Sequence, residues 1–224
     1  MDALLGFAAA LLALRLAGAL ATRARETGRT EFRLWAAAFV AYALAAGALA
    51  WGAAHGWDAR AFRAYYLFGG LLTAPLLGAG SLALVGRRWA VAVALLYAGL
   101  AAGVAISVPL HGDFAGTAIP AAQDHLAFVP ARLLAVLANS LGSLAVVGVA
   151  IVTARRRPLA NALVVAGVAC AALGSAFGSL GAAGGAVTIA VGVCLLYAGF
   201  LDLRSLRILY RLPGHTGVSN VNSD

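Results

Sequence analysis

Residues 3–33 read ALLGFAAALLALRLAGALATRARETGRTEFR, an apolar run broken by one charge, Arg15, and closed by Arg23, Arg25, Arg29 and Arg33. An α-helix rises about 1.5 Å per residue, so about 20 such residues cross the roughly 30 Å of hydrocarbon in a bilayer. Ala19-Leu20-Ala21 has the small-residue form of a cleavage site. Yet no positive residue precedes the run, and the arginines behind it form a stop-transfer flank. The first segment is therefore expected to stay in the protein as a membrane helix.

The same alternation continues along the chain. Apolar segments are expected to span at 3–22, 34–54, 64–86, 89–108, 131–153, 159–181 and 185–203, the last two joined by a tight turn at Gly181–Gly185. The predicted fold class is all-α: a polytopic membrane protein of seven transmembrane helices forming one domain, 1–213. A basic juxtamembrane segment at 204–212 follows, then a flexible tail at 214–224. Composition agrees, with 63% hydrophobic and 11% charged residues, against about 45–50% and about 25% in soluble domains.

Charge sets the orientation. All 16 positive side chains are arginine. Arg23, Arg25, Arg29, Arg33, Arg87, Arg88, Arg155, Arg156, Arg157, Arg204, Arg207 and Arg211 flank one side, and Arg60, Arg63 and Arg132 the other. Arginine-rich connections stay in the cytoplasm. The expected location is the cell membrane, multi-pass, with the N-terminus outside and the C-terminus cytoplasmic. Arginines confined to helix ends also account for the net charge of +8 without a nucleic-acid partner; the bilayer is the partner they imply.

What the chain lacks narrows its chemistry. Without lysine it cannot form a retinal Schiff base. Carboxylate-based ion pumps and carriers place acids within their helices, whereas Glu26, Glu31, Asp58, Asp113, Asp124 and Asp202 fall in loops or at helix ends. His55, His111, His125 and His215 lie outside the hydrocarbon, so no pair can hold an intramembrane haem. No cofactor is identified; a bound lipid is compatible. Two cysteines, Cys170 and Cys194, sit at similar depth in helices 6 and 7, as small packing residues or a disulfide.

Three constellations remain. His111 and His125, with His55, Asp58, Asp113 and Asp124 nearby, offer the ligand types of a zinc or copper site on the outer face, or a loop that is polar because it meets water. Arg63, beside Tyr66, and Arg132 stand at outer helix ends. There they can hold a carboxylate, phosphate or lipid headgroup, anchor to the interface, or pair with Asp58 or Asp124. Thr73, Asn139 and Ser143, with Ser140, Pro75, Tyr97 and Tyr197, reach mid-depth and either line a neutral polar cavity or bond helix to helix. Arg15 is expected to extend toward the cytoplasmic end. Gly174–Gly178 and Gly99–Gly103 allow close helix approach, within the bundle or to a second subunit. The pair Gly69-Gly70 and Gly184-Gly185 hints at a repeat relating helices 1–3 to 5–7, with helix 4 as inverter.

The stretch Arg63-Ala64-Tyr65-Tyr66-Leu67-Phe68-Gly69 with Thr73, Pro75 and Gly80-Ser81, the string Asn161-Ala162-Leu163, and Tyr197-Ala198-Gly199-Phe200-Leu201 together resemble uncharacterised seven-helix integral membrane proteins of actinobacteria. The resemblance implies a bacterial membrane protein of that architecture and carries no activity. The expected function is non-enzymatic: binding, or facilitating passage of, a small neutral, lipidic or anionic molecule. The alternatives are a non-catalytic accessory subunit of a larger membrane complex, with a homo-oligomer as one form of assembly, and an outer-face metal-dependent membrane enzyme.

Overall fold

Among the described residues the apolar runs of a membrane's width are helical, and the first three helices extend beyond them. The computed structural model describes residues 2–114, 116–155, 158–179 and 185–201. Among these, the long helices are α1 Asp2–Thr27, α2 Thr30–His55, α3 Ala59–Leu84, α4 Trp89–Ser107, α5 Phe128–Thr153, α6 Pro158–Ser179 and α7 Gly185–Leu201. No strand occurs among the described residues. Five of them, α1 to α5, are long and apolar enough to cross a membrane, as a multi-pass membrane protein requires. The apolar stretches Pro158–Leu173 and Ala190–Phe200 in α6 and α7 are shorter.

Helix ends differ from expectation for a physical reason. Hydropathy marks where lipid ends, not where helical hydrogen bonding ends. Arg23 and Arg25 therefore lie on α1, and Glu31 and Arg33 on α2. α3 starts at Ala59 rather than 64 because the Asp58 carboxylate accepts the Ala61 N–H at 2.7 Å, an N-cap. Arg60 and Arg63 thereby join α3. Arg156, Arg157, the turn at 180–184, the segment 204–212 and the tail 214–224 fall outside the described residues. So do the side chains of the Gly174–Gly178 face.

Packing closes a ring. α1 lies along α2 and also touches α7; α2 packs on α3, α3 on α5, α5 on α6, and α6 along α7. α4 stands outside this ring against α3. Its exposed Leu95, Leu96, Leu100 and Ile106 suit a lipid surround. The largest core joins Leu16 and Leu20 of α1, Trp35 and Phe39 of α2, and Val193, Leu196 and Phe200 of α7. Phe200 meets the Trp35 and Phe39 rings edge-on at 4.8 and 5.5 Å.

Backbone contact holds α3 to α5. A methyl on Gly78 would lie 2.7 Å from the Gly142 Cα, and one on Gly142 would fall on the Ala74 carbonyl. Close approach of this kind, rather than hydrophobic burial, drives helix association in lipid. The same device serves α6 and α7, where Gly167 faces Gly192. Gly99 and Gly103, by contrast, are exposed on α4 and meet nothing within 4 Å.

Candidate functional site

Pro75 organises the middle of α3. Proline has no N–H, so one carbonyl loses its helical donor: Leu71, four residues earlier, in an α-helix, or Gly70, five residues earlier, in a π-helix. The helix responds with a π-helical stretch, Tyr66–Leu72, centred on Gly69-Gly70. Both of these carbonyls accept from side chains of neighbouring helices. Tyr97 of α4 donates its hydroxyl to Leu71 O at 2.8 Å, and Asn139 of α5 donates Nδ2–H to Gly70 O at 2.6 Å. Thr73 Oγ1 donates to Phe68 O at 2.7 Å. In lipid no water can do this work, so neighbouring helices must.

Thr73 and Asn139 thus come together with Tyr97, but around a backbone defect. The Tyr97 hydroxyl and the Asn139 Nδ2–H bond helix to helix, while the Thr73 hydroxyl bonds within α3. Ser143 is half-buried one turn beyond Asn139, beside the Gly142 contact, while Ser140 is exposed. Asn139→Leu and Tyr97→Phe should each cost about 1 kcal/mol, the usual worth of an interhelical hydrogen bond in a membrane. The cost should shrink when Pro75→Ala restores the missing N–H. Melting temperatures of the single and double variants check this; equal losses in both backgrounds would sever the link to Pro75.

The start of α3, the end of α4 and the start of α5 form a second cluster. Arg63 donates from Nη1 to the carbonyls of Ala105 and Ile106, the last turn of α4, where a helix dipole favours a cation. Arg63 and Tyr66 border a cavity of about 10 Å³, room for one water. Phe62, Val104, Leu126 and Ala131 wall the rest. Arg132 is half-buried with its guanidinium 5.6 Å from the Phe128 ring, a cation–π contact. It stands near enough to act electrostatically on the Tyr66 hydroxyl. Among the described residues neither arginine pairs with Asp58 or Asp124, and the ion pair present is Arg29 with Glu31. Three sequence-derived candidates, Arg63, Tyr66 and Arg132, are therefore neighbours. The helix-capping role of Arg63 had no sequence signal, because it depends on where α4 ends.

The loop between α4 and α5 is tied down by its own hydrogen bonds, while His111, Gly112, Asp113, Gly116 and Thr117 stay exposed. His111 N–H donates to His125 O at 3.0 Å, and His125 Nδ1–H donates back to His111 O at 2.9 Å. His125 is 8% exposed and stacks on Phe114 at 4.2 Å. Trp57 N–H donates to Gly116 O at 3.1 Å, which ties the loop to the α2–α3 corner. His55 stacks on Trp51, and Asp58 is engaged as the N-cap. So His111 meets His125 through its backbone, and among the described residues no three histidine, cysteine or acidic side chains gather as metal ligands. Cys170 and Cys194 are both free.

No protein-family model matches the chain, and neither a curated protein nor a solved structure matches it.

Proposed function

We propose that the chain is a seven-span protein of the cell membrane, N-terminus outside, that works without catalysis and binds a phosphate- or carboxylate-bearing molecule at the outer ends of α3 and α5. The observation that carries this reading is an apolar-walled cavity bordered by Arg63 and Tyr66, with Arg132 near enough to act on the Tyr66 hydroxyl and, among the described residues, no carboxylate paired with either arginine. Arginine forks hold such oxyanions by charge-assisted hydrogen bonds. The apolar walls and the interfacial depth favour a lipidic anion, whose acyl chains stay in the bilayer while the headgroup reaches the guanidinium groups. The arginine excess on the opposite flanks, Arg23, Arg25, Arg29, Arg33, Arg87, Arg88 and Arg155 among them, supports the orientation.

The probe is phosphatidylglycerol. Native mass spectrometry of the purified protein should retain it in preference to phosphatidylcholine. Arg132→Gln should lower that preference about tenfold, the worth of one charged hydrogen bond. Arg63→Gln should lower it as well, and also loosen α4. Equal retention of both lipids by the unaltered protein would end this reading. An accessory role in a larger complex, or self-association, is the second reading. The feature that favours it is the open Gly99–Gly103 face of α4.

A further inference from the structure

Leu4, Ala8, Leu11, Arg15, Gly18 and Thr22 of α1 are all exposed, and they recur at alternating steps of four and three residues. Residues so spaced form one line along a helix, the spacing of a helix–helix seam. The line lies opposite Ala9, Ala13, Leu16 and Leu20, which are buried in the bundle. A methyl on Gly18 would meet nothing within 4 Å.

Arg15 sits in the middle of this line. At about 1.5 Å per residue it is roughly 18 Å from Ala3 and about 10 Å from Thr22. The nearer polar end is therefore the C-terminal one. Side chains on a helix tilt toward its N-terminus, so Arg15 leans away from that end and deeper into lipid. Simple extension to the interface, expected from sequence, works against this tilt. A cation at such depth is costly unless an anion meets it. Among the described residues none does. Glu26, Glu31, Asp58, Asp113 and Asp124 all stand at helix ends or in the outer loop, and the ion pair present joins Arg29 to Glu31.

We propose that this outward line of α1 docks a membrane-spanning helix of another protein, one that carries a carboxylate at mid-depth opposite Arg15. Charge complementarity selects the partner. A guanidinium and a carboxylate pair by parallel hydrogen bonds, and lipid strengthens the attraction by excluding water. Gly18, one turn along, lets the partner's backbone come close. A second copy of this chain docked by the same line would set Arg15 against Arg15. This site is separate from the outer arginine cavity, on another face of the bundle, and stands or falls without it.

The test uses the full chain in phosphatidylcholine vesicles with a synthetic membrane-spanning peptide of about 20 residues, Leu/Ala in pattern, bearing Asp, Asn or Leu at its centre. Energy transfer between labels reads association. The Asp peptide should bind about tenfold tighter than the Leu peptide, with Asn between them. Arg15→Gln should abolish the preference, Arg15→Lys should keep part of it, and Gly18→Leu should weaken binding of all three peptides. Neither position supports the bundle's own packing, so helix content and melting should stay unchanged and serve as controls. Equal binding of the Asp and Leu peptides, or a preference that survives Arg15→Gln, would overturn the proposal. So would loss of the preference when phosphatidylglycerol is added, since Arg15 would then be meeting lipid phosphate.

Discussion

Gly142→Leu should leave little folded protein, whereas Gly148→Leu, less than two turns further along the same helix, should be nearly silent. At Gly142 even a methyl falls on the Ala74 carbonyl and close to the Pro75 nitrogen, and Gly78 presents its own backbone from the other helix. Those atoms belong to main chains and cannot swing aside. A larger side chain must therefore push α3 and α5 apart, which also strains the Asn139 bond to Gly70 one turn away. Overpacking ordinarily costs about 1–3 kcal/mol, and backbone obstruction on both sides places this case at or above the upper end. Gly148 meets nothing within 4 Å. The measurement is the monodisperse, helical fraction after detergent extraction, with its melting temperature. Equal behaviour of the two variants would mean that α3 and α5 do not touch at Gly78 and Gly142.

Trp57→Ala is the second severe change. Trp57 is 5% exposed; its indole covers Gly52, meets Tyr65 edge-on at 5.5 Å and donates from Nε1 to Thr117 O at 3.4 Å. Truncating a buried tryptophan costs about 3–5 kcal/mol. Here the loss falls on the joint between the α4–α5 loop and the α2–α3 corner. A cysteine placed at Thr117 reports it. A membrane-impermeant reagent applied to intact cells should label that cysteine several-fold faster in the Trp57→Ala protein, while Trp57→Phe stays close to the parent. Labelling that never occurs from outside would reverse the proposed orientation, and an unchanged rate would detach the loop from Trp57.

Much of this architecture could be read in advance, because lipid imposes strong rules. A run such as 89–108 has one stable fate in a bilayer, and α4 occupies Trp89–Ser107. What escaped reading depends on which helices become neighbours. Pro75 announces a missing backbone donor, but nothing local says that Asn139 and Tyr97 will bond to the carbonyls beside it. Gly99 and Gly103 form the spacing that promises close contact and face outward, while Gly78 and Gly142, far apart in sequence, make it. Of the candidate site, the clustering of Arg63, Tyr66 and Arg132 followed from their shared level. The attachment of Arg63 to α4 did not, since it turns on where that helix stops.

The closed circuit of helices has a consequence for synthesis. A ribosome delivers α4 before α5, yet α3 keeps its backbone-to-backbone partner for α5, so the fourth helix has to be shunted to the periphery while the fifth enters. The circuit then stays open on the far side until residues 185–201 have emerged, because α1 finishes its burial against α7. Assembly therefore hinges on contacts between the earliest and latest membrane segments, the kind that chain-closure entropy makes slow.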